Sequence, residues 1–385
     1  MKEDLYSDIR PYNDDEIPAA LERIVNDPFF VPAVNFAFPD ADMERIAEVV
    51  RTCKTVEQMQ ERVMFSIIKR IIETSIDNFT LSGMENIEKG KGYLYISNHR
   101  DITLDSFLLQ YALFSNGLPT TATTLGDNLL RSQFIIDICR INRAVRVIRK
   151  TDDIQPREFL QNSIHLAEYI RWYISQGKSM WIAQRNGRTK DGIDRTDQGI
   201  INMFRMSSSD DKVKAIAELN ILPVAVSYEW EPCDLLKVME LYISTHHKGT
   251  YVKKEGEDLN SILTGIVQPK GKVHFSICKP VTAEDLMPYA ELPSNEFNKQ
   301  VARLLDSRIC SEYVLTPNNY IAYDLLHGTD RYCEHYTSEQ KETFLKHAAS
   351  LEAYSDSCDI EDLNRILLGI YANPIDSKNH FTQSL

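Results

Sequence analysis

The sequence predicts an α/β fold, a mostly parallel sheet flanked by helices, with helical extensions at its N- and C-terminal ends. Two observations predict it. Between residues 80 and 282, five short β-rich runs alternate with helical segments, as a sheet built from crossover helices requires. Outside that span, apolar residues recur at three- and four-residue intervals instead. Three regions follow: helical over 1–79, α/β over 80–282 and helical over 283–385. A length of 385 residues suits two or three folding units, and 43% hydrophobic with 26% charged residues suits a chain with a sizeable core.

In the N-terminal region, helices are expected over Asp14 to Val25 and Asp42 to Val50, broken around Pro32 and Phe38-Pro39. A third, Thr55 to Ile76, carries Met59, Val63, Ile67, Ile68 and Ile71 on its apolar face. The expected strands are Tyr93 to Ser97, Ala144 to Ile148, Ser179 to Ala183, Ile221 to Ser227 and Val273 to Ile277. Between them lie helices over Leu104 to Phe114, Gly126 to Cys139, Pro156 to Gln176 and residues 199–219. Pro156 suits a first helical turn, and Gly177 follows the end of that helix. Helical periodicity returns over Phe297 to Ile309 and Ser338 to Ala353.

A net charge of −13 argues against nucleic-acid binding through overall charge. The longest apolar stretch, Met64 to Ile72, is interrupted by Lys69 and Arg70 and falls short of the ~20 residues that span a bilayer. The opening Met-Lys-Glu-Asp-Leu-Tyr places acid where the apolar segment of a secretory signal belongs. Seven cysteines without a C-x-x-C pair fit reduced thiols better than disulfides or a zinc site. The expected location is cytoplasmic, with any contact at the inner face of the membrane peripheral.

Three segments carry chemistry. The first is Asn98-His99-Arg100-Asp101-Ile102-Thr103-Leu104-Asp105, at the carboxyl end of a strand, where open α/β sheets place their sites. Either Asp101 or Asp105 can accept the Nδ1 proton of His99 and leave Nε2 as a base, though contact with Asp105 requires a turn at His99. Both aspartates also suit the start of the following helix. His99-Arg100-Asp101 is similar to a kinase catalytic loop, but Ser106 stands where that motif needs Asn. The second, Arg140 to Lys150, concentrates five cations without an acid, fitting either a charged strand edge or a phosphate site. The third, Gln184 to Gly192, combines glycines and cations at another strand end, as a turn or an anion cradle does. Ile221 to Glu229 is a strand whose Pro223 suits an edge or entry point.

In this order, over roughly residues 80 to 280, these segments resemble the glycerophosphate acyltransferase superfamily. Asn98-His99 with Asp105 is similar to its Asn-His-x4-Asp signature, and Val147-Ile148-Arg149-Lys150 to its Phe-Ile-Arg-Arg block. Asn186-Gly187-Arg188-Thr189-Lys190 resembles the Glu-Gly-Gly-Arg-Ser-Arg block, and Leu222-Pro223-Val224 with Tyr228-Glu229 the fourth. Five residues rather than four separate His99 from Asp105, and the third-block glutamate is replaced by Arg185 or Asn186.

The resemblance implies a glycerol-3-phosphate acyltransferase-like fold. It implies an O-acyltransferase of phospholipid synthesis, moving a fatty acyl group from acyl-CoA or acyl-carrier protein to glycerol 3-phosphate or 1-acylglycerol 3-phosphate. His99 would be the general base, oriented by Asp105 or Asp101. Asn98, Arg149, Lys150, Gly187, Arg188, Thr189, Lys190 and Pro223 would form the substrate site, with no cofactor and no metal. An acyl-chain groove is expected between the α/β layer and the N-terminal helices, with Met64, Ile67, Ile68 and Ile71 either lining it or forming plain core. Two other readings compete: a catalytically silent lipid- or phosphate-binding relative, and a metal-dependent hydrolase using His99, Asp101, Asp105 and His246-His247.

Overall fold

The computed structural model describes residues 5–39, 42–150, 154–209, 211–246 and 251–382. Among them seven strands form one sheet: β1 (Asn78–Ser82), β2 (Leu94–Ser97), β3 (Ala122–Gly126), β4 (Ala144–Val147), β5 (Met180–Ala183), β6 (Ile221–Tyr228) and β7 (Lys272–Ile277). Their order is β1-β7-β6-β2-β5-β3-β4, and every ladder is parallel except β6–β7. The α/β class with a mostly parallel sheet and helical ends is therefore the observed one.

Alternation along the strands fills two layers. Leu94, Ile96, Met180, Ile182 and Ile221 face helices Pro156–Ser175, Gln198–Met206 and Ser294–Glu312. Tyr93, Tyr95, Trp181, Leu222, Val224 and Val226 face helices Phe65–Ser75 and Leu104–Ser115. With both faces covered, all eight positions of β6 are buried, which explains its near-continuous apolar sequence.

Two strands escape the sequence pattern. β1 alternates only exposed and half-buried residues at the sheet edge. β3 (Ala-Thr-Thr-Leu-Gly) lacks an apolar run and ends inside what reads as a helix from Gly126. That helix is Gln133–Ile141, started by the Ser132 side chain accepting the N–H of Ile135, while the Asp127 side chain accepts the N–H of Arg149.

Pro223 is not at an edge, because β6 lies between β7 and β2. The Pro223 carbonyl accepts from Cys278 N–H at 2.9 Å, so its missing N–H faces the same side, beyond Ile277 where the β7 ladder ends. The proline therefore costs the sheet only the reciprocal bond to the Cys278 carbonyl, just past the end of the ladder.

The expected helix Thr55 to Ile76 is interrupted by a wide π turn, Gln60–Met64. Its buried Gln60 side chain bonds Asn142 and Thr120, a polar link that pulls the turn inward. Pro32, expected as a breaker, sits in the first turn of helix Phe30–Ala37, where its missing N–H has no intrahelical partner to lose. Met64, Ile68 and Ile71 are buried core and Ile67 packs beside them, so this stripe lines no groove.

In the C-terminal region, helices Pro317–His327, Ser338–Ala348 and Ile360–Thr382 pack around Phe344, Leu367, Ile370 and Tyr371. The last of them touches the loop after β5. Gly192 there has φ of 76°, and a Cβ on it would lie 2.1 Å from the Ile370 carbonyl oxygen. Gly192→Ala is therefore expected to cost about 1–3 kcal/mol of stability, read as a lowered urea midpoint.

Candidate active site

β2 ends at Ser97 and hands the chain to a turn that brings His99 and Asp105 together. His99 Nδ1 lies 2.8 Å from Asp105 Oδ2. The same oxygen accepts the backbone N–H groups of Arg100 at 2.7 Å and Asp101 at 3.0 Å. Asp105 Oδ1 accepts the Tyr228 hydroxyl at 2.9 Å. A carboxylate accepting at Oδ2 places the imidazole proton on Nδ1 and leaves the Nε2 lone pair available. The ring is 13% exposed and lies edge-on to Trp181, with centroids 5.6 Å apart. Asp101 takes the other role open to it. Its Oδ1 accepts the N–H groups of Thr103 and Leu104, both at 2.9 Å, starting helix Leu104–Ser115 rather than orienting the histidine.

The loop is braced from three sides. Asn98 is fully buried: its amide donates to Val226 O and Asp194, and its carbonyl accepts from Val226 N. Thr189 N–H donates to the His99 carbonyl at 2.7 Å, and its hydroxyl donates to Asp194. Arg100, only 1% exposed, pairs with Asp194 at 2.6 Å and Glu231 at 3.3 Å. Lys237 Nζ donates to Glu231 at 2.5 Å and to the Arg100 carbonyl at 2.7 Å. Two cations thus meet two anions in the interior, and each has a partner.

His99 lines a cavity of about 390 Å³ at the carboxyl ends of the strands. Arg149, Lys150, Arg185, Asn186, Gly187 and Arg188 also line it. Arg149 Nη2 donates to Asn186 Oδ1 at 2.8 Å, joining the second and third segments. Arg188 is 8% exposed, and its Nη1 has no partner among the described residues. A buried guanidinium donor left in that state is suited to an anion. Leu129, Val147, Phe159, Leu166, Ile200 and Met203 give the cavity an apolar part, under helices Pro156–Ser175 and Gln198–Met206. The groove is thus beside the sheet's carboxyl edge and not against the N-terminal helices.

Of the expected substrate residues, Arg149, Lys150, Gly187 and Arg188 line this cavity. Asn98, Thr189 and Pro223 do not: the first two are consumed by bonds that hold the loops, and the third lies within β6. Lys190 also stands apart, bonded to Glu240, with burial pushing its ammonium pKa down. Of the remaining cations between Arg140 and Lys150, Arg140 bonds the Ser7 and Arg10 carbonyls and Arg143 pairs with Glu57. Arg146 faces out from β4, the edge strand. That segment is both a charged edge and, at its end, part of the site.

The metal-ligand set of the hydrolase reading is not assembled. His246 Nε2 bonds Asp362 at 3.0 Å, and His247 lies outside the described residues. Among the described residues no three His, Cys, Asp or Glu side chains are grouped to hold a metal. Sequence reasoning missed Trp181 and the hydroxyl of Tyr228 as parts of the site. The available signal was the two-residue alternation that places Tyr228 on the Leu222, Val224 and Val226 face of β6.

Residues 78–227, from the first residue of β1 to the penultimate residue of β6, match the family model described as Acyltransferase. The chain carries an acyltransferase-family domain. It is an acyltransferase. The acyltransferase domain contains His99, Asp105, Arg149 and Arg188. Among solved structures, the chain is similar to the 1-acyl-sn-glycerophosphate (LPA) acyltransferase PlsC from Thermotoga maritima. That likeness has 14% identity and a TM-score of 0.36, covering 76% of this chain and 95% of the other. The search of curated proteins finds no match.

The acyltransferase domain depends on Asn98 for the seam between β2 and β6. Asn98→Leu leaves the Val226 N–H and carbonyl without that partner in the interior. A loss of about 2–4 kcal/mol is expected in urea unfolding.

Proposed function

We propose that this acyltransferase moves a fatty acyl group from the thioester of acyl-CoA or acyl-carrier protein to a hydroxyl of glycerol 3-phosphate or 1-acylglycerol 3-phosphate. The observation that carries the reading is one cavity lined by both an Asp105-held imidazole and the buried guanidinium of Arg188, whose Nη1 has no hydrogen-bond partner among the described residues. A base, an anion holder and an apolar trough are what an acceptor phosphate, its hydroxyl and a fatty chain need together.

In this reading His99 Nε2 takes the proton of the acceptor hydroxyl as its oxygen attacks the thioester carbonyl. The tetrahedral adduct collapses, the C–S bond breaks, and the departing sulfur takes the proton from the imidazolium. Asp105 stabilises the imidazolium while it exists. Arg188 and Arg149, with Lys150 and the Gly187 turn, hold the acceptor phosphate so that its hydroxyl meets Nε2. The fatty chain lies along Leu129, Phe159, Leu166 and Met203. Among the described residues no helix is long and apolar enough to cross a membrane, so the proposal reaches a lipid acceptor through peripheral contact at the inner membrane face.

Mass spectrometry of the products from a panel of acceptors, with both donor types, tests the substrates. The expected product is a phosphorylated glycerolipid carrying one added acyl chain; transfer only to acceptors without phosphate overturns the reading. His99→Ala is expected to lower kcat/KM by about 10²–10⁴-fold with an unchanged circular dichroism spectrum. Arg188→Gln is expected to raise KM for the phosphorylated acceptor about tenfold or more and to leave the donor KM unchanged.

A further inference from the structure

The Asp105 carboxylate is fully buried, and its two oxygens are served unequally. Oδ2 has three donors: His99 Nδ1 and the N–H groups of Arg100 and Asp101. Oδ1 has one among the described residues, the hydroxyl of Tyr228 at 2.9 Å. Among the described residues no lysine or arginine side chain bonds either oxygen. Tyr228 is itself buried at the last position of β6, its ring packed with the core of the Trp181 face. We infer that Tyr228 is a positioning residue for acyl transfer, its hydroxyl fixing the rotation of the Asp105 carboxylate and thereby the orientation and basicity of His99.

The physics runs through the carboxylate. Held at Oδ2 alone, Asp105 can rotate about its Cβ–Cγ bond and carries a bare oxygen in the interior. A carboxylate that loses a donor becomes more basic, draws the Nδ1 proton more strongly and stabilises the imidazolium. Burial, together with the nearby Asp105, Asp101 and Glu231 charges, pushes the Tyr228 hydroxyl well above its ordinary pKa, so it remains a donor throughout the working range. The other charges around the loop do not compensate. Arg100 is paired to Asp194 and Glu231, and Lys237 to Glu231. Lys270 bonds Ser75 and two carbonyls, and Arg188 faces the cavity.

This inference rests on His99 as the base, and the test separates the two. Tyr228→Phe removes one oxygen from a site where the ring packing stays. It is expected to lower kcat about tenfold to a hundredfold, with KM for donor and acceptor changing less than about twofold. The acidic limb of the kcat/KM profile should move up by about 0.5–1 pH unit, because a more basic imidazole must lose its proton before it can act. Titration of His99 followed by ¹⁵N NMR should show the same upward shift without any turnover. A purely structural tyrosine would lower the unfolding midpoint and leave both pH readouts in place. A folded Tyr228→Phe protein with kcat within about twofold and an unmoved limb overturns the inference. If His99→Ala is active, the base assignment fails instead. Should Tyr228→Phe not fold, 3-fluorotyrosine at position 228 makes the O–H a stronger donor and is expected to move the limb down; an unmoved limb there overturns the inference as well.

Discussion

The site is organised around one buried anion. Asp105 lies in the interior, where an ionised carboxylate is costly unless donors surround it. Four groups do so: the His99 imidazole, two backbone N–H groups of the turn and the Tyr228 hydroxyl. Each comes from a segment that something else must place. The turn needs Asp101 to start the next helix, Tyr228 needs β6 in the middle of the sheet, and His99 needs β2 beside it. Satisfying this carboxylate therefore sets the relation between the central strands and the helix that follows β2.

The spacing between His99 and Asp105 meets the same requirement. With five intervening residues, the turn points both the Arg100 and Asp101 N–H groups at Oδ2 and still starts the helix at Leu104. The Arg100 side chain then goes inward to Asp194 and Glu231. Those acids lie after β5 and β6, so the turn at His99 is tied to the ends of both strands flanking β2. The helical C-terminal region enters here too: Tyr371 accepts the Glu231 N–H and donates to Asp234, and the Tyr313 ring lies 5.3 Å from the Arg100 guanidinium. A region with no readable motif thus supports the candidate site through contacts between residues far apart in sequence.

What could be read from the sequence was local. The alternation of apolar runs with helical periodicity identifies the α/β class and five of the strands, because each of those patterns is written within a few residues. β1 and β3 are set by their neighbours, as their own side chains carry little β signal, and the π turn at Gln60 is made by partners at Thr120 and Asn142. Candidate residues at strand ends follow from motif order, but motif membership does not distinguish a ligand from a brace. Asn98 and Thr189 stand in motif positions as fully as Arg188 does, yet their polar atoms are used up by Val226, Asp194 and His99. Only the hydrogen-bond inventory of the folded chain makes that division.

That inventory also accounts for how an acidic protein presents a cationic site. Overall charge is −13, yet five Arg and Lys side chains line the cavity with only Asp197 and Asp258 among the acids. Position, and not total charge, governs the local potential, because exposed charges beyond ~10 Å are screened by salt while partly buried ones are not. Asp258 is already engaged by Asn128 and Lys253, which hold its carboxyl below the ordinary range, although burial alone would raise it. Elsewhere the cations of the same segments are matched locally, Lys190 by Glu240 and Arg143 by Glu57. Arg188, buried with an Nη1 that has no partner among the described residues, lies with the other cations of the cavity that His99 lines.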